Sequence, residues 1–227
     1  MTDTLHRLAA LRPELDRAPL GGLSGRFHSH LTVRLSASEP VDAALEQVAR
    51  SVAAKVTVIE LADLGTRTER DVMLTRYFVD DAAGAVGRIA GLLAEATRAV
   101  EAGGWPVVRV KLEHESEPSL AVFDAHRYHE VHIKLGVSEA EHGEALAWLR
   151  EVGAEHGWVP SRNPRERRAG VVHQFVNLRC YEGDRAQADA RVAAAVAALR
   201  ARGLEVIEVK RETTVLDTRV EHDRWWL

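Results

Sequence analysis

The segments RFHSHLTVRLSASEPV (26–41) and YHEVHIKLGVSEAEHG (128–143) align at a single offset along the chain, and they decide the predicted fold. The offset that places His30 on His132 also aligns the Ser and the Glu that follow each histidine. Apolar and polar residues alternate in the first part of both segments, which predicts two β-strands. Because a duplicated core needs only repeated apolar residues, the matched polar residues indicate a repeated site.

Two further pairs of segments repeat, and each pair matches basic residues: DVMLTRYFVDD (71–81) with QFVNLRCYEGD (174–184), and VVRVKLE (107–113) with VIEVKRE (206–212). This alignment places Arg76 on Arg179 and Lys111 on Lys210. Amphipathic or alanine-rich segments between the strands predict helices, so each half has the order βαββαβ of a ferredoxin-like unit. The predicted fold class is α+β, with two tandem ferredoxin-like repeats packed as a pseudo-dimer.

The predicted organisation has three parts. Residues 1–24 form an N-terminal helix and linker, residues 25–117 form the first ferredoxin-like repeat, and residues 118–227 form the second repeat with a C-terminal tail. In the second repeat, WVPSRNPRERRAG (158–170) is predicted to be irregular and to take the place of a strand. The connection 116–127 is short, so we expect the halves to pack closely, with a ligand cleft between them.

The composition limits the classes of function. The net charge of −4 argues against non-specific nucleic-acid binding, which depends on a basic surface. With one cysteine, Cys180, the chain has no intrachain disulfide and no thiolate zinc site. No segment approaches the roughly 18 apolar residues that a membrane span needs. We therefore expect a cytoplasmic protein that binds a small anionic ligand and has no membrane or nucleic-acid partner. The sequence leaves open whether the protein forms a homodimer.

The two matched histidines suggest acid–base chemistry. One imidazole can accept a proton while another donates one, so His30 and His132 are the candidate catalytic pair. The tetrapeptides that begin at these residues, HLTV and HIKL, resemble the H-x-T/S motifs of two-histidine phosphoesterases. The resemblance implies a phosphoesterase-like hydrolase without a cofactor, in which Thr32 binds phosphate. Lys134 stands where that family has Thr or Ser, and would contact phosphate as a point charge.

A metal site is the alternative for the same strands. Residues two apart on a strand point to the same face, so His28 lies beside His30, and Glu130 beside His132. Three imidazoles and a carboxylate suit a divalent ion such as Zn, Fe, Mn or Ni. The chain would then be a metalloenzyme with a divalent metal as its cofactor. A third possibility is a non-catalytic sensor that binds a small ligand between the halves.

Four arginines are candidate ligand-binding residues, because guanidinium groups hold carboxylates and phosphates in a bidentate manner: Arg76, Arg109, Arg162 and Arg179. Arg162 lies in SRNPRERR (161–168), which is either a mobile lid over an anionic ligand or a solvated run of charge. The strand residues have a second interpretation, which is cross-strand ion pairing with nearby glutamates. Pairing is the favoured interpretation for Lys210, Glu208 and Glu212, and it also involves Glu113.

The whole chain also resembles a set of uncharacterised bacterial proteins. The resembling stretches are YHEVHIKLG, PVVRVKLE, the SRN segment followed by HQFVNLRCY, and LDTRVEHDRWWL. This resemblance supports the predicted fold and implies no reaction. The leading expectation is therefore an enzyme that acts on a small phosphate-bearing anion with a histidine pair in a central cleft.

Overall fold

The computed structural model describes residues 2–15, 20–35, 40–61, 70–115, 127–168, 170–182 and 185–221. The helices are α1 (Asp3–Leu15), α2 (Ala43–Ser51), α3 (Ala85–Ala102), α4 (His142–His156) and α5 (Arg185–Ala201). The strands are β1 (Gly25–Val33), β2 (Lys55–Leu61), β3 (Arg70–Asp80), β4 (Val107–Glu115), β5 (Tyr128–Ser138), β6 (Trp158–Arg168), β7 (Val171–Cys180) and β8 (Glu205–Asp217). Most of the predicted connection 116–127, and the end of the tail at 222–227, lie outside the described residues.

The eight strands form one closed antiparallel barrel in the order β1-β3-β2-β6-β7-β5-β8-β4. The fold is α+β, but the prediction of two ferredoxin-like repeats packed as a pseudo-dimer was wrong. Strands from the two halves pair at two seams, β2 with β6 and β4 with β8, so they share a single sheet. Alternating patterns predict strands but not which strands pair. Closure of the barrel pairs the backbone N–H and C=O groups that the edge strands of two open sheets would leave unpaired.

Strand β6 corrects a second prediction, because residues 158–170 were expected to be irregular. Trp158–Arg168 pairs with β7, and it also reaches β2, where Arg162 lies opposite Glu60. Its prolines suggested a loop, yet proline is tolerated where a strand does not need that N–H group. The register shifts between Arg162 and Arg167, so the arginine-rich stretch contains an irregularity within the strand.

Local sequence signals define the ends of the helices. The Asp42 carboxylate accepts a hydrogen bond from the backbone N–H of Leu45 at 2.7 Å, so it caps the start of α2. Helix α4 is followed by Gly157, whose φ of 66° lies in the left-handed region that favours glycine, so this residue caps the end of the helix. In the described part of the chain, no helix is long and apolar enough to cross a membrane.

The strands place apolar side chains outside the barrel and polar side chains inside it. Leu31 and Leu74 belong to one buried apolar cluster with residues of α3, and Ile133 and Val176 belong to another with residues of α4 and α5. Because side chains alternate along a strand, the intervening residues point into the barrel. The helices therefore cover the outer surface of the sheet, and the interior is left for the polar residues.

Candidate functional site

A cavity of about 260 Å³ lies inside the barrel and is lined by residues from all eight strands. Side chains usually fill the interior of an eight-stranded barrel or leave room for one small ligand. Here the inward residues of β1 are His28, His30 and Thr32, and those of β5 are Glu130, His132 and Lys134. The strand alternation therefore brings the candidate residues of both halves to one cavity.

Two buried carboxylates lie at the centre of the polar cluster. The side chains of Glu113 and Glu212 are each 1% exposed. His30 Nε2 lies 3.1 Å from Glu113 Oε2, and His132 Nε2 lies 3.1 Å from Glu212 Oε2. The two imidazoles are more accessible, with side chains 16% and 28% exposed. The cavity therefore exposes the imidazoles, while the carboxylates behind them are shielded from solvent.

A lysine neutralises each of these carboxylates. Lys111 Nζ lies 2.5 Å from Glu113 Oε1, and Lys210 Nζ lies 2.5 Å from Glu212 Oε1. Buried carboxylates are stable only when such partners offset the loss of solvation. Burial opposes ionisation, but Lys111 and His28 nearby keep the pKa of Glu113 well below its ordinary value. The glutamate is therefore charged at neutral pH and available as a ligand.

His28 lies between the two carboxylates. Its Nε2 is 2.7 Å from Glu113, and its Nδ1 is 3.0 Å from Glu212. Burial alone would lower the pKa of His28, but these two carboxylates raise it to about 9. In the metal-free protein His28 is therefore a charged imidazolium that links the two glutamates.

The two matched histidines have opposite protonation tendencies. Burial lowers the pKa of His30, and the nearby charges of His28 and Lys111 lower it further against the opposing effect of Glu113. Burial also disfavours the charged form of His132, but Glu212 and Glu130 outweigh it and raise the pKa. The two environments therefore shift His30 towards its neutral form and His132 towards its charged form.

Asn177 fixes the orientation of His132. The amide Nδ2 of Asn177 donates to Val159 O at 3.0 Å and to Ser161 Oγ at 2.8 Å, so its Oδ1 faces the imidazole. His132 Nδ1 donates to that oxygen at 2.7 Å. Because Nδ1 carries the proton, Nε2 of a neutral His132 presents a lone pair towards Glu212. A matching contact holds His30, whose Nδ1 lies 2.9 Å from the hydroxyl of Thr75.

Two groups of three side chains in the described ranges could hold a metal ion: His28, His30 and Glu113, and Glu113, His132 and Glu212. Within each group the ligand atoms lie within 4.8 Å of one another, and Glu113 belongs to both groups. Both carboxylates also form ion pairs with His28 and with a lysine, so a metal ion would bind among groups that are already paired.

No protein-family model matches the chain, and neither does any curated protein sequence. The site is therefore interpreted from its own geometry.

Of the four metal ligands predicted from the sequence, three histidines belong to these groups and Glu130 does not, whereas Glu113 and Glu212 are additional. Glu130 was expected to be a ligand, but its carboxylate forms ion pairs with Lys111 and with Arg179, the latter at 2.8 Å. His132 Nε2 is 3.8 Å from Glu130, which is longer than its contact with Glu212. Sequence reasoning missed Glu113 and Glu212 as candidate ligands because it assigned both to ion pairing. The signal that could have indicated them is that they occupy matched positions in the third pair of repeated segments, 107–113 and 206–212.

The predicted match of Arg76 to Arg179 is displaced by one residue. In the structure His28 lies opposite Tyr77, and Glu130 lies opposite Arg179, so Tyr77 occupies the corresponding place. Arg76 instead faces away from the cavity and donates to Val52 O at 3.2 Å. Arg179 lines the cavity as expected.

Two other predicted ligand-binding arginines have protein partners. Arg109 lines the cavity, but Asp217 holds its guanidinium at 2.5 and 3.0 Å, and it donates to the Tyr128 hydroxyl at 3.1 Å. Arg162 is not among the residues that line the cavity. Its side chain is 46% exposed and lies 2.7 Å from Glu60, across the seam between β6 and β2. The structure thus gives Arg109 and Arg162 structural contacts.

Lysine is concentrated in the cavity. The chain has 30 lysine and arginine residues, of which four are lysine, and all four line the cavity: Lys55, Lys111, Lys134 and Lys210. Of the arginines in the described ranges, two line it. Each lysine ammonium also lies within 6 Å of an aromatic ring centroid, on Tyr77, Tyr128 or Phe175. The rarity of lysine was a sequence signal that reasoning from motifs did not use.

Proposed function

We propose that the protein is a metal-dependent enzyme whose metal ion binds to Glu113, His132 and Glu212 and acts on a small substrate in the barrel cavity. The observation that carries this proposal is the convergence of two buried carboxylates and an imidazole whose other nitrogen is already committed to Asn177. Metal-binding histidines are usually held in this way, by a hydrogen bond at the second ring nitrogen.

The ligand chemistry narrows the choice of ion. Carboxylate oxygens with imidazole nitrogen suit Zn, Fe(II), Mn and Ni, whereas a soft ion such as Cu(I) prefers sulfur. Lys111 and Lys210 each neutralise one of the two carboxylates, so the ion binds next to two ion pairs. Such a centre supplies a Lewis acid and a bound water of lowered pKa.

The other residues of the cluster can support this chemistry. His30 contacts Oε2 of Glu113 whereas Lys111 contacts Oε1, and the imidazole of His30 lines the cavity. Because its environment favours the neutral form, His30 can accept a proton from a bound substrate or water. His28 belongs to the other ligand group, with His30 and Glu113, and contacts both carboxylates, so it can join the coordination or hold the carboxylates in place.

The test is the metal content of untagged protein, measured by elemental mass spectrometry on the wild type, Glu212→Gln and His132→Asn. We expect about one ion per chain in the wild type and a loss in both variants. His6→Gln is the matched control, because His6 is exposed on α1. Circular dichroism identifies variants that do not fold. Absence of metal, together with no thermal stabilisation by Zn, Mn, Ni or anaerobic Fe(II), would overturn the proposal.

A metal-free acid–base enzyme is the second candidate. It is favoured by the placement of His30 and His132, which both face the cavity and are both anchored through Nδ1. Thr32 and Lys134 line the same cavity, as a phosphate-bearing substrate would require. This candidate predicts hydrolysis of a phosphodiester such as bis-p-nitrophenyl phosphate that persists in a chelator. A non-catalytic sensor predicts stabilisation by a ligand without turnover.

A further inference from the structure

The cavity contains every lysine of the chain, although the rest of the protein uses arginine as its basic residue. If basic residues were placed only for solubility, lysine would be expected on the outer helices as well. The segregation is therefore a property of the cavity. A lysine ammonium is a compact point charge, whereas a guanidinium is a broad planar group suited to bidentate pairing. In a cavity of about 260 Å³, the smaller cation leaves more room for a ligand.

The four lysines differ in depth. The Lys111 side chain is 8% exposed and lies beside Glu113, and the Lys210 side chain is 34% exposed and lies beside Glu212. Lys134 is half-buried, and Lys55 is exposed. The ammonium groups thus extend from solvent to the candidate metal centre. Positive charge distributed along a cleft attracts anions and raises their local concentration.

The two deeper lysines are paired with carboxylates of the cluster. Lys111 Nζ contacts Glu113 and Glu130, and Lys210 Nζ contacts Glu212. Carboxylates beside an ammonium group favour its charged form, so these contacts suit the recognition of charge.

The charge of the cavity also favours an anion. Among the described residues, six lysine and arginine side chains and five aspartate and glutamate side chains line it, and Asp217 behind the lining neutralises Arg109, so these charges balance. A divalent ion would add positive charge that the protein does not balance. A negatively charged group beside that ion would offset it.

We infer that the cavity binds a small anionic substrate, with a carboxylate or phosphate group held by the lysines beside the metal centre. The position beside the metal rests on the proposed function, whereas binding of the anion by the lysines can be measured without metal. The cavity volume is below the roughly 300–1,000 Å³ of ordinary ligand pockets, so the substrate is small.

The experiment is isothermal titration calorimetry of the metal-free and metal-loaded protein with inorganic phosphate, acetate and the neutral analogue acetamide. The variants are Lys134→Met and Lys210→Met. Arg202→Met is the matched control, because it removes one positive charge at an exposed ion pair with Glu144 outside the cavity. Lys134→Arg tests whether charge alone is sufficient.

We expect saturable binding of phosphate or acetate, no binding of acetamide, and affinity reduced by about tenfold or more in both lysine variants, since a charge-assisted contact is lost. The Arg202→Met control should bind as the wild type does. Binding of phosphate and not acetate, or the reverse, identifies the anionic group that the cavity recognises and supports the inference. Equal affinity in Lys134→Met, Lys210→Met and the wild type would overturn it, as would no anion binding at all. A metal-loaded protein that binds no anion would contradict this inference alone. Anion binding by a protein that takes up no metal would contradict only the proposed metal centre.

Discussion

The Nδ1 atom of His132 lies 2.7 Å from Oδ1 of Asn177, and this contact settles which nitrogen of the imidazole faces the carboxylates. Asn177 is in turn held by Val159 and Ser161 on the neighbouring strand β6. Strand β6 thus orients a histidine on β5 through Asn177 on β7. The two predictions that follow separate residues that bind a metal from residues that position its ligands.

Asn177→Leu should weaken metal binding without removing a ligand. The variant loses the oxygen that accepts from His132, so the imidazole can rotate or change tautomer. Loss of such a partner typically costs a factor of about 10 to 100 in metal affinity. Asn177→Asp keeps an acceptor at that place and should retain most of the affinity. Metal titration with a competing chelator measures the affinity of both variants. Equal affinity in Asn177→Leu and the wild type would show that the orientation of His132 contributes nothing to metal binding.

Glu113→Gln and Glu130→Gln should have different effects, although both replace a buried glutamate. Glu113 belongs to both candidate ligand groups, so Glu113→Gln should abolish metal binding. Glu130 pairs with Lys111 and Arg179, so its loss should destabilise the fold by about 3–5 kcal/mol while metal is still bound. Elemental analysis measures the metal content, and urea denaturation measures the free energy of unfolding. Metal lost from Glu130→Gln and kept by Glu113→Gln would favour the ligand set predicted from the sequence.

The metal-free protein should lose stability as the pH rises above neutrality. The pKa of His28 is about 9 in the folded state and about 6.5 in an unfolded chain. The stabilisation by charged His28 is therefore fully present below about pH 6.5 and is lost as the pH rises through 9. Its size is on the order of 3 kcal/mol. Urea denaturation in a chelator between pH 6 and 10 should show this decline in the wild type and in His6→Gln. His28→Gln should show a flatter profile, and a decline equal to that of the wild type would assign the effect to another group.

Arg109→Met should act on stability. Arg109 and Asp217 form a buried bidentate ion pair with Tyr128 beside it, so removing the arginine takes the opposite charge away from a buried carboxylate. We expect a loss of about 3–5 kcal/mol in the free energy of unfolding. Arg202→Met breaks an exposed ion pair and should cost less than about 1 kcal/mol. If Arg109→Met reduces phosphate affinity at unchanged stability, Arg109 is a ligand-binding residue after all.

The sequence predicted the strands of the site better than their pairing. Alternation in β1 and β5 correctly placed His30 and His132 on inward faces, because the side-chain period of a strand is two. The same period explains the placement of Arg76. A shift of one residue in the alignment moves a side chain to the opposite face, and Arg76 was aligned one residue away from the place that corresponds to Arg179. No local pattern indicated that β2 pairs with β6 and β4 with β8.

The glutamates and lysines of the site were present in the aligned segments but were interpreted as ion pairs. That interpretation is consistent with the contacts, because Lys111 does pair with Glu113 and Lys210 with Glu212. A sequence shows which charges can pair but not whether the pair is buried next to two imidazoles. The burial of these ion pairs and their convergence on the two imidazoles arise from closure of the barrel, which brings β4 and β8 side by side.

The confinement of lysine to the cavity affects how the protein can be handled. Apart from the amino terminus, Lys55, Lys111, Lys134 and Lys210 are the primary amines that acylating reagents modify. Attachment to a sensor surface by amine coupling would therefore occur at the terminus or through the cavity, and coupling through the cavity would obstruct it. Dyes, cross-linkers and cellular acetylation that target lysine would act on the same four positions. Labelling through the single cysteine is hindered by burial of Cys180, so a tag added at a terminus is the route that leaves the interior of the barrel intact.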